Sequence, residues 1–238
     1  MSVADRLLAV RATVRDAAKR SGRGADSVKI VAVTKTVPVE CIREAVAAGQ
    51  LLLGENRVQE AERKINDLAD VVQDAQWHLI GHLQSNKAST AVEYFSLIQS
   101  VDTLKLAQKL NDLGAQRGRS VDVLLEVNMA GESSKFGFRP DALLKQIDVL
   151  SYLPYIAIRG LMTVAPQAAV PESVRWVFRA IAQLRYDLQQ QTGLPGLTEL
   201  SMGMSGDFEV AIEEGATMVR IGTAIFGPRE PNGELSGR

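Results

Sequence analysis

A chain of 238 residues, 46% hydrophobic and 23% charged, has the composition of an ordinary globular protein and enough length for one barrel-sized core. Its formal net charge of −1 gives no electrostatic basis for binding nucleic acid or an anionic membrane surface. The single cysteine, Cys41, excludes an internal disulfide and suits a reducing cytoplasm.

The first segment places Val3, Leu7, Val10 and Val14 at three- and four-residue spacing, a helical stripe that Gly22 and Gly24 end. Asp5, Arg6 and Arg11 interrupt it, so it lacks the apolar centre of a signal peptide. No apolar run in the chain approaches the ~18–20 residues of a membrane span. Lys29-Ile30-Val31-Ala32-Val33-Thr34-Lys35 reads as a first strand that ends in a lysine. Pro38 opens a helix carrying Ile42, Ala45 and Val46, with Gly49 as its cap. Leu51-Leu52-Leu53 is a second strand, ending in Gly54-Glu55-Asn56, and the polar-faced helix after it turns Ala61, Ile65 and Leu68 inward. Trp77 to His82 and Leu97 to Val101 are the third and fourth strands. Asp102 is expected to cap the next helix, with Leu106, Ala107, Leu110 and Leu113 buried and Gly114 closing it.

Val121 to Asn128 is the most informative strand. Its odd positions are apolar, while Asp122, Glu126 and Asn128 share the other face with Leu124. Polar groups pointing into a barrel near a strand's C-terminal end suggest a site. After the loop from Ala130 to Phe138, Pro140 opens a helix with Leu143, Leu144, Ile147 and Leu150. Ile156 to Val164 is strand six, and Pro171 opens a long helix with Val174, Phe178, Ile181, Leu184 and Leu188. Thr198 to Met202 is strand seven, after which Ser205 can cap a helix ended by Gly215. Met218 to Ile221 is strand eight, and from about residue 228 a flexible tail is expected.

Strands alternating with helices argue for a parallel sheet. Eight units in this length favour a single (β/α)₈ TIM barrel with an extra N-terminal helix, one domain over residues 1–238. The competing open, doubly wound sheet lacks its glycine fingerprint after strand one.

In barrel enzymes the chemistry sits at the C-terminal strand ends, and phosphate binds after strands seven and eight. Ser201-Met202-Gly203-Met204-Ser205 and Gly222-Thr223-Ala224 occupy those two positions. Their N–H groups and hydroxyls could surround phosphate oxygens, although Gly and Ser are also common in plain strand-to-helix turns. Arg220 should point inward with Met218 and Gly222, toward either a carboxylate such as Glu126 or the ring nitrogen of a cofactor. A mouth lysine can form a Schiff base with a carbonyl compound. Lys35 with a phosphate site across the barrel mouth suggests an aldehyde that carries a phosphate, and pyridoxal 5′-phosphate (PLP) fits both ends.

Five stretches carry a resemblance: Val31–Lys35, Gly54-Glu55-Asn56, Trp77 to Lys87, Leu200 to Ser205 and Val219 to Gly227. Across about residues 28 to 227 the chain resembles the single-domain pyridoxal phosphate homeostasis proteins (the YggS/PROSC family), related to the barrel domain of bacterial alanine racemases. The resemblance implies that Lys35 holds PLP as an internal aldimine. It also implies that Ser201, Gly222 and Thr223 bind the phosphate and that Arg220 faces the pyridine nitrogen. An arginine there disfavours protonating the ring and weakens the cofactor as an electron sink. Alanine racemases of this kind add a second base from a C-terminal β-domain, for which this chain has no counterpart after Gly227. The expectation is therefore a cytoplasmic, monomeric, non-catalytic PLP-binding protein of vitamin B6 homeostasis, with PLP-dependent apoenzymes as candidate recipients.

The alternatives are a PLP-dependent racemase or decarboxylase, and a cofactor-free Schiff-base aldolase. Asn56 either approaches the cofactor or caps its helix, and Met162 either packs on the ring or fills the core. His78 and His82 are too few for a protein-only zinc site, and no metal is expected. Lys135 could form a second imine or contact an anion, but reads more simply as a solvated loop lysine, and no role for Gln84-Ser85-Asn86-Lys87 follows from the residues.

Overall fold

The structure, a computed structural model, describes residues 1–228, so all of the expected tail except Pro228 lies outside the described residues. Its strands are β1 (Lys29–Val33), β2 (Leu52–Glu55), β3 (Gln76–Leu79), β4 (Leu97–Val101), β5 (Val121–Glu126), β6 (Ile156–Met162), β7 (Glu199–Ser201) and β8 (Met218–Ile221). Each pairs in parallel with its successor, and β8 pairs with β1, giving the closed barrel that the alternating pattern implies.

The helices are α1 (Val3–Arg20), α2 (Val39–Ala47), α3 (Val58–Asp67), α4 (Ala88–Tyr94), α5 (Leu104–Arg117), α6 (Pro140–Ser151), α7 (Arg175–Thr192), α8 (Phe208–Glu213) and α9 (Thr223–Phe226). The extra N-terminal helix, α1, packs on α2, α8 and α9 through the buried face of Val3, Leu7, Val10 and Val14. It starts with a capping box, in which the Ser2 hydroxyl accepts from Asp5 N–H and the Asp5 carboxylate accepts from Ser2 N–H, each at 3.0 Å. No helix among the described residues is long and apolar enough to cross a membrane.

The period-two pattern of β5 determines two layers. Val121, Val123 and Leu125 join the core between barrel and helices, whereas Leu124 joins Val31, Leu97, Met162 and Met218 inside the barrel. Glycine lets the backbones close at the tightest points. Gly160 on β6 faces Glu199 on β7, where a Cβ would stand 2.6 Å from the Glu199 carbonyl carbon.

Several ends differ from the sequence reading. Thr103, not Asp102, caps α5, its hydroxyl accepting from Leu106 N–H at 3.3 Å. Asp102 turns inward to His82 instead. Helix α5 continues past Gly114 to a left-handed cap at Gly118, because the missing Gly114 side chain makes room for Tyr155. Pro171 opens a short 3₁₀ turn, and α7 begins only at Arg175. The short helices α4 and α9 have no expected counterpart, since both are shorter than a readable amphipathic period.

Candidate functional site

Arg220 is 4% exposed and lies inside the barrel, as its parity with Met218 requires. Its guanidinium donates to backbone carbonyls at the end of β7 and just past β6: Nη1 to Ser201 O and Nη2 to Thr163 O, both at 2.8 Å. Nη1 also donates to Ser201 Oγ at 2.7 Å. The Ser201 hydroxyl then donates to Gln99 Oε1 at 2.6 Å, and Gln99 Nε2 lies 2.8 Å from His78 Nδ1. Burial pushes the His78 imidazole down to about 3, with the Lys29 charge adding to the effect. A neutral His78 can accept the Gln99 amide proton, so the chain runs in one direction, from Arg220 through Ser201 and Gln99 to His78. Burial lowers Arg220 to about 10, opposed by Glu126 and Asp207, and it stays cationic at neutral pH. The arginine is thus anchored mainly by carbonyls, and Glu126 reaches it only through its field.

Lys35 is half-buried, in the turn just past β1 at the C-terminal mouth. Closure of the barrel makes β8 the neighbour of β1, so the Gly222 loop lies beside the Lys35 strand, not across the mouth. A Cβ on Gly222 would stand 3.4 Å from both Cβ and O of Val33. Thr223 is exposed and opens α9, whose first intrahelical bonds run from Ile225 and Phe226 N–H to Gly222 O, both at 2.9 Å. The preceding N–H groups therefore have no intrahelical acceptor. Ser205 accepts from Ala224 N–H at 3.4 Å, joining the two glycine loops. The hydroxyl beside the Gly222 turn is that of Ser205, whereas that of Ser201 is buried in the Arg220 chain.

Around Lys35 the backbone is unusual. Thr36 has φ 61°, a left-handed conformation that costs a β-branched residue on the order of 1–2 kcal/mol. Its N–H donates to Glu60 Oε1 at 2.7 Å, and the buried Lys64 ammonium donates to Thr34 O at 2.5 Å. Lys64 also reaches Glu55 and Glu60, each at 2.7 Å. Burial raises Glu55, against Lys64. The sequence reading missed these residues and Gln99. Their traces were the four-residue spacing of Glu60 and Lys64, and a polar Gln99 at an inward position of an apolar strand.

The other candidates are spread around this centre. Asn56 does not cap α3, whose cap position is Arg57. It is half-buried and lines a cavity of about 430 Å³ with Arg57, His82, Gln84 and Lys87. Gly81 permits this placement, since a Cβ there would stand 2.8 Å from Asn56 Cα. Met162, the last residue of β6, is fully buried in the inner apolar layer. His82 bonds Asp102 at 2.9 Å and stacks on Phe136 with ring centroids 3.7 Å apart. Lys135 is not a solvated loop lysine: it donates to Glu132 at 2.7 Å and to Ala165 O at 3.1 Å, tying two mouth loops together. Asn128 holds the same loop, donating to Glu132 O at 2.8 Å.

Glu126 brings a pH dependence. Burial first, then the Asp102 charge, raises it to about 7, against the pull of Arg220. The folded protein therefore holds this proton more tightly than the unfolded chain, where the ordinary value is 4.5. Its stabilising contribution is complete below that value and is lost as pH rises through about 7. Glu126→Gln should flatten this limb and gain on the order of 1–3 kcal/mol relative to the parent above it. Urea midpoints on either side of neutrality measure this. An equal difference at both pH values would remove Glu126 as the cause.

The family description "Alanine racemase, N-terminal domain" matches residues 6–230. The "Pyridoxal phosphate homeostasis protein" of Aquifex aeolicus (strain VF5) is 43% identical over 230 residues, covering 97% of this chain and 100% of that one. The protein of that name from Escherichia coli (strain K12) is 39% identical, covering 96% and 97%. The solved structure of PipY from Synechococcus elongatus PCC7942, with PLP bound, superposes with a TM-score of 0.84 at 41% identity, over 95% of this chain and 100% of that one.

Proposed function

The chain belongs to the alanine racemase N-terminal domain family and, within it, to the pyridoxal phosphate homeostasis proteins, and from that membership we propose that it binds PLP and holds it in reserve. The observation that carries this reading is the adjacency of Lys35 on one strand and the Gly222 loop on the next, with a fixed arginine on the same barrel wall. The residues fit the group. The Gly222 turn packs closely on Val33 of the Lys35 strand, and Thr223, Ser205 and the first N–H groups of α9 supply donors for a phosphate there. When bound, PLP supplies an aldehyde open to a lysine amine and a pyridine ring that draws electrons.

Lys35 is the covalent tether. Gly222, Thr223 and Ser205 hold the phosphate, and Arg220 faces the ring nitrogen. Ser201 orients that arginine from behind. Asn56, half-buried at the end of β2, would approach the ring, and Met162 would back the site from the inner apolar layer. Arg220 keeps a positive charge where an electron-withdrawing cofactor would need a proton on the ring. A cofactor weakened in this way as an electron sink suits storage better than turnover of amino acids. The protein serves PLP-dependent apoenzymes as a monomer in the cytoplasm.

Purified protein mixed with PLP and freed of unbound ligand should carry the absorbance of a lysine adduct, and borohydride should then fix the added mass on the peptide containing Lys35. An amino-acid screen should find no sustained racemisation or decarboxylation. Turnover that vanishes in Lys35→Ala would make the protein an enzyme and overturn the storage role.

A further inference from the structure

Two backbone units flank Lys35, and side chains of α3 and of the end of β2 hold both. On the N-terminal side, Thr34 O accepts from the Lys64 ammonium at 2.5 Å, and the Thr34 hydroxyl donates to Glu55 Oε1 at 2.6 Å. On the C-terminal side, Thr36 N–H donates to Glu60 Oε1 at 2.7 Å. The two sides are one unit, because Lys64 bridges Glu55 and Glu60, each at 2.7 Å. All three ammonium protons of Lys64 are used, at 3% side-chain exposure.

A buried ion cluster is a poor device for stability alone, since desolvation offsets its attraction. Its value lies in fixing one geometry. Here the fixed element is a turn that carries Thr36 at φ 61°, a conformation that persists only where the surroundings impose it. Released from Glu60, Thr36 would relax toward negative φ and swing the peptide that follows Lys35. The Lys35 side chain would then leave the mouth on a different path.

We propose that Glu60 and Lys64, with Glu55, are positioning residues for Lys35: they hold the strained 34–36 turn so that the amine meets a bound aldehyde. This rests on Lys35 being the tether. None of the three touches the ligand. They act through the backbone, so they should govern capture of the aldehyde and leave the hold on the phosphate intact.

The test compares two ligands. Pyridoxal 5′-phosphate reports capture through the rate of growth of its lysine adduct absorbance. Pyridoxine 5′-phosphate has an alcohol in place of the aldehyde and reports only non-covalent binding. Glu60→Ala should slow capture by about tenfold or more and change pyridoxine 5′-phosphate affinity by less than about twofold. Glu60→Gln keeps an oxygen acceptor for Thr36 N–H and should retain most of the rate. Thr36→Asn, a residue that tolerates positive φ, should restore capture in the Glu60→Ala background.

Unchanged capture in Glu60→Ala overturns the proposal. So does a parallel loss of both ligands, which would mean a general structural role, or a failure of Thr36→Asn to rescue. Thr36→Asn alone should capture at the parent rate whatever the stability of Glu60→Ala, and a tenfold loss there would also refute it. Absence of any adduct in the parent protein is a separate result, and it would reject the tether itself.

Discussion

Lys35→Ala is expected to abolish the lysine-adduct absorbance, and with it the PLP mass that borohydride fixes on the protein. Lys35 lies just past β1, the strand paired with β8 and its Gly222 loop. Lys64 has its three protons committed to carbonyl and carboxylates, and Lys135 is tied to Glu132 and Ala165. The phosphate and ring contacts survive the substitution. Residual PLP binding should therefore persist without a lysine adduct, weaker by roughly 10²-fold, or ~2.7 kcal/mol. Lys35→Arg separates charge from covalency: it keeps a cation at the mouth but cannot condense with an aldehyde. Absorbance titration and intact mass after reduction measure both variants. A Lys35→Ala protein that still forms the adduct, with the mass added elsewhere, would move the tether to another lysine.

Gly160→Ala should be the most damaging small change to the barrel. Its Cβ would stand 2.6 Å from the carbonyl carbon and 2.8 Å from Cα of Glu199, both backbone atoms of the paired strand. Side chains can turn away, but a paired backbone can move only by opening the sheet. Strand β7 spans only Glu199–Ser201, so little pairing is left to absorb the shift. Overpacking against backbone places the expected loss at on the order of 3 kcal/mol or more, from urea denaturation. The same displacement would move Ser201, whose carbonyl and hydroxyl both hold Arg220. Spectral changes at the cofactor should therefore accompany the loss of stability. An alanine variant within about 1 kcal/mol of the parent would show that β6 and β7 can separate freely.

Both variants act on walls of one site, and each wall has its own support. Behind Lys35 stands a charged cluster centred on Lys64. Behind Arg220 stands a chain of mostly neutral hydrogen bonds ending at His78. The difference suits the tasks. A strained turn needs strong local anchors, while an already charged arginine inside the barrel needs carbonyls and hydroxyls that keep its charge solvated.

The sequence by itself determined what depends on neighbours along the chain. Alternating apolar runs and amphipathic helices gave the closed barrel. Period-two parity turned Arg220 inward with Met218, and the run from Lys29 delivered Lys35 to the C-terminal mouth. The tertiary structure alone decided which groups meet. Closure put the β8 loop beside Lys35, left Ser205 at the Gly222 turn, and enclosed the Ser201 hydroxyl between Arg220 and Gln99, the latter 102 residues away in sequence. It also folded Glu55, Glu60 and Lys64 behind Thr34 and Thr36. Periodicity fixes the direction of a side chain from local backbone geometry. The partner it finds there is set by strand register and barrel closure, which bring together residues that no local pattern relates.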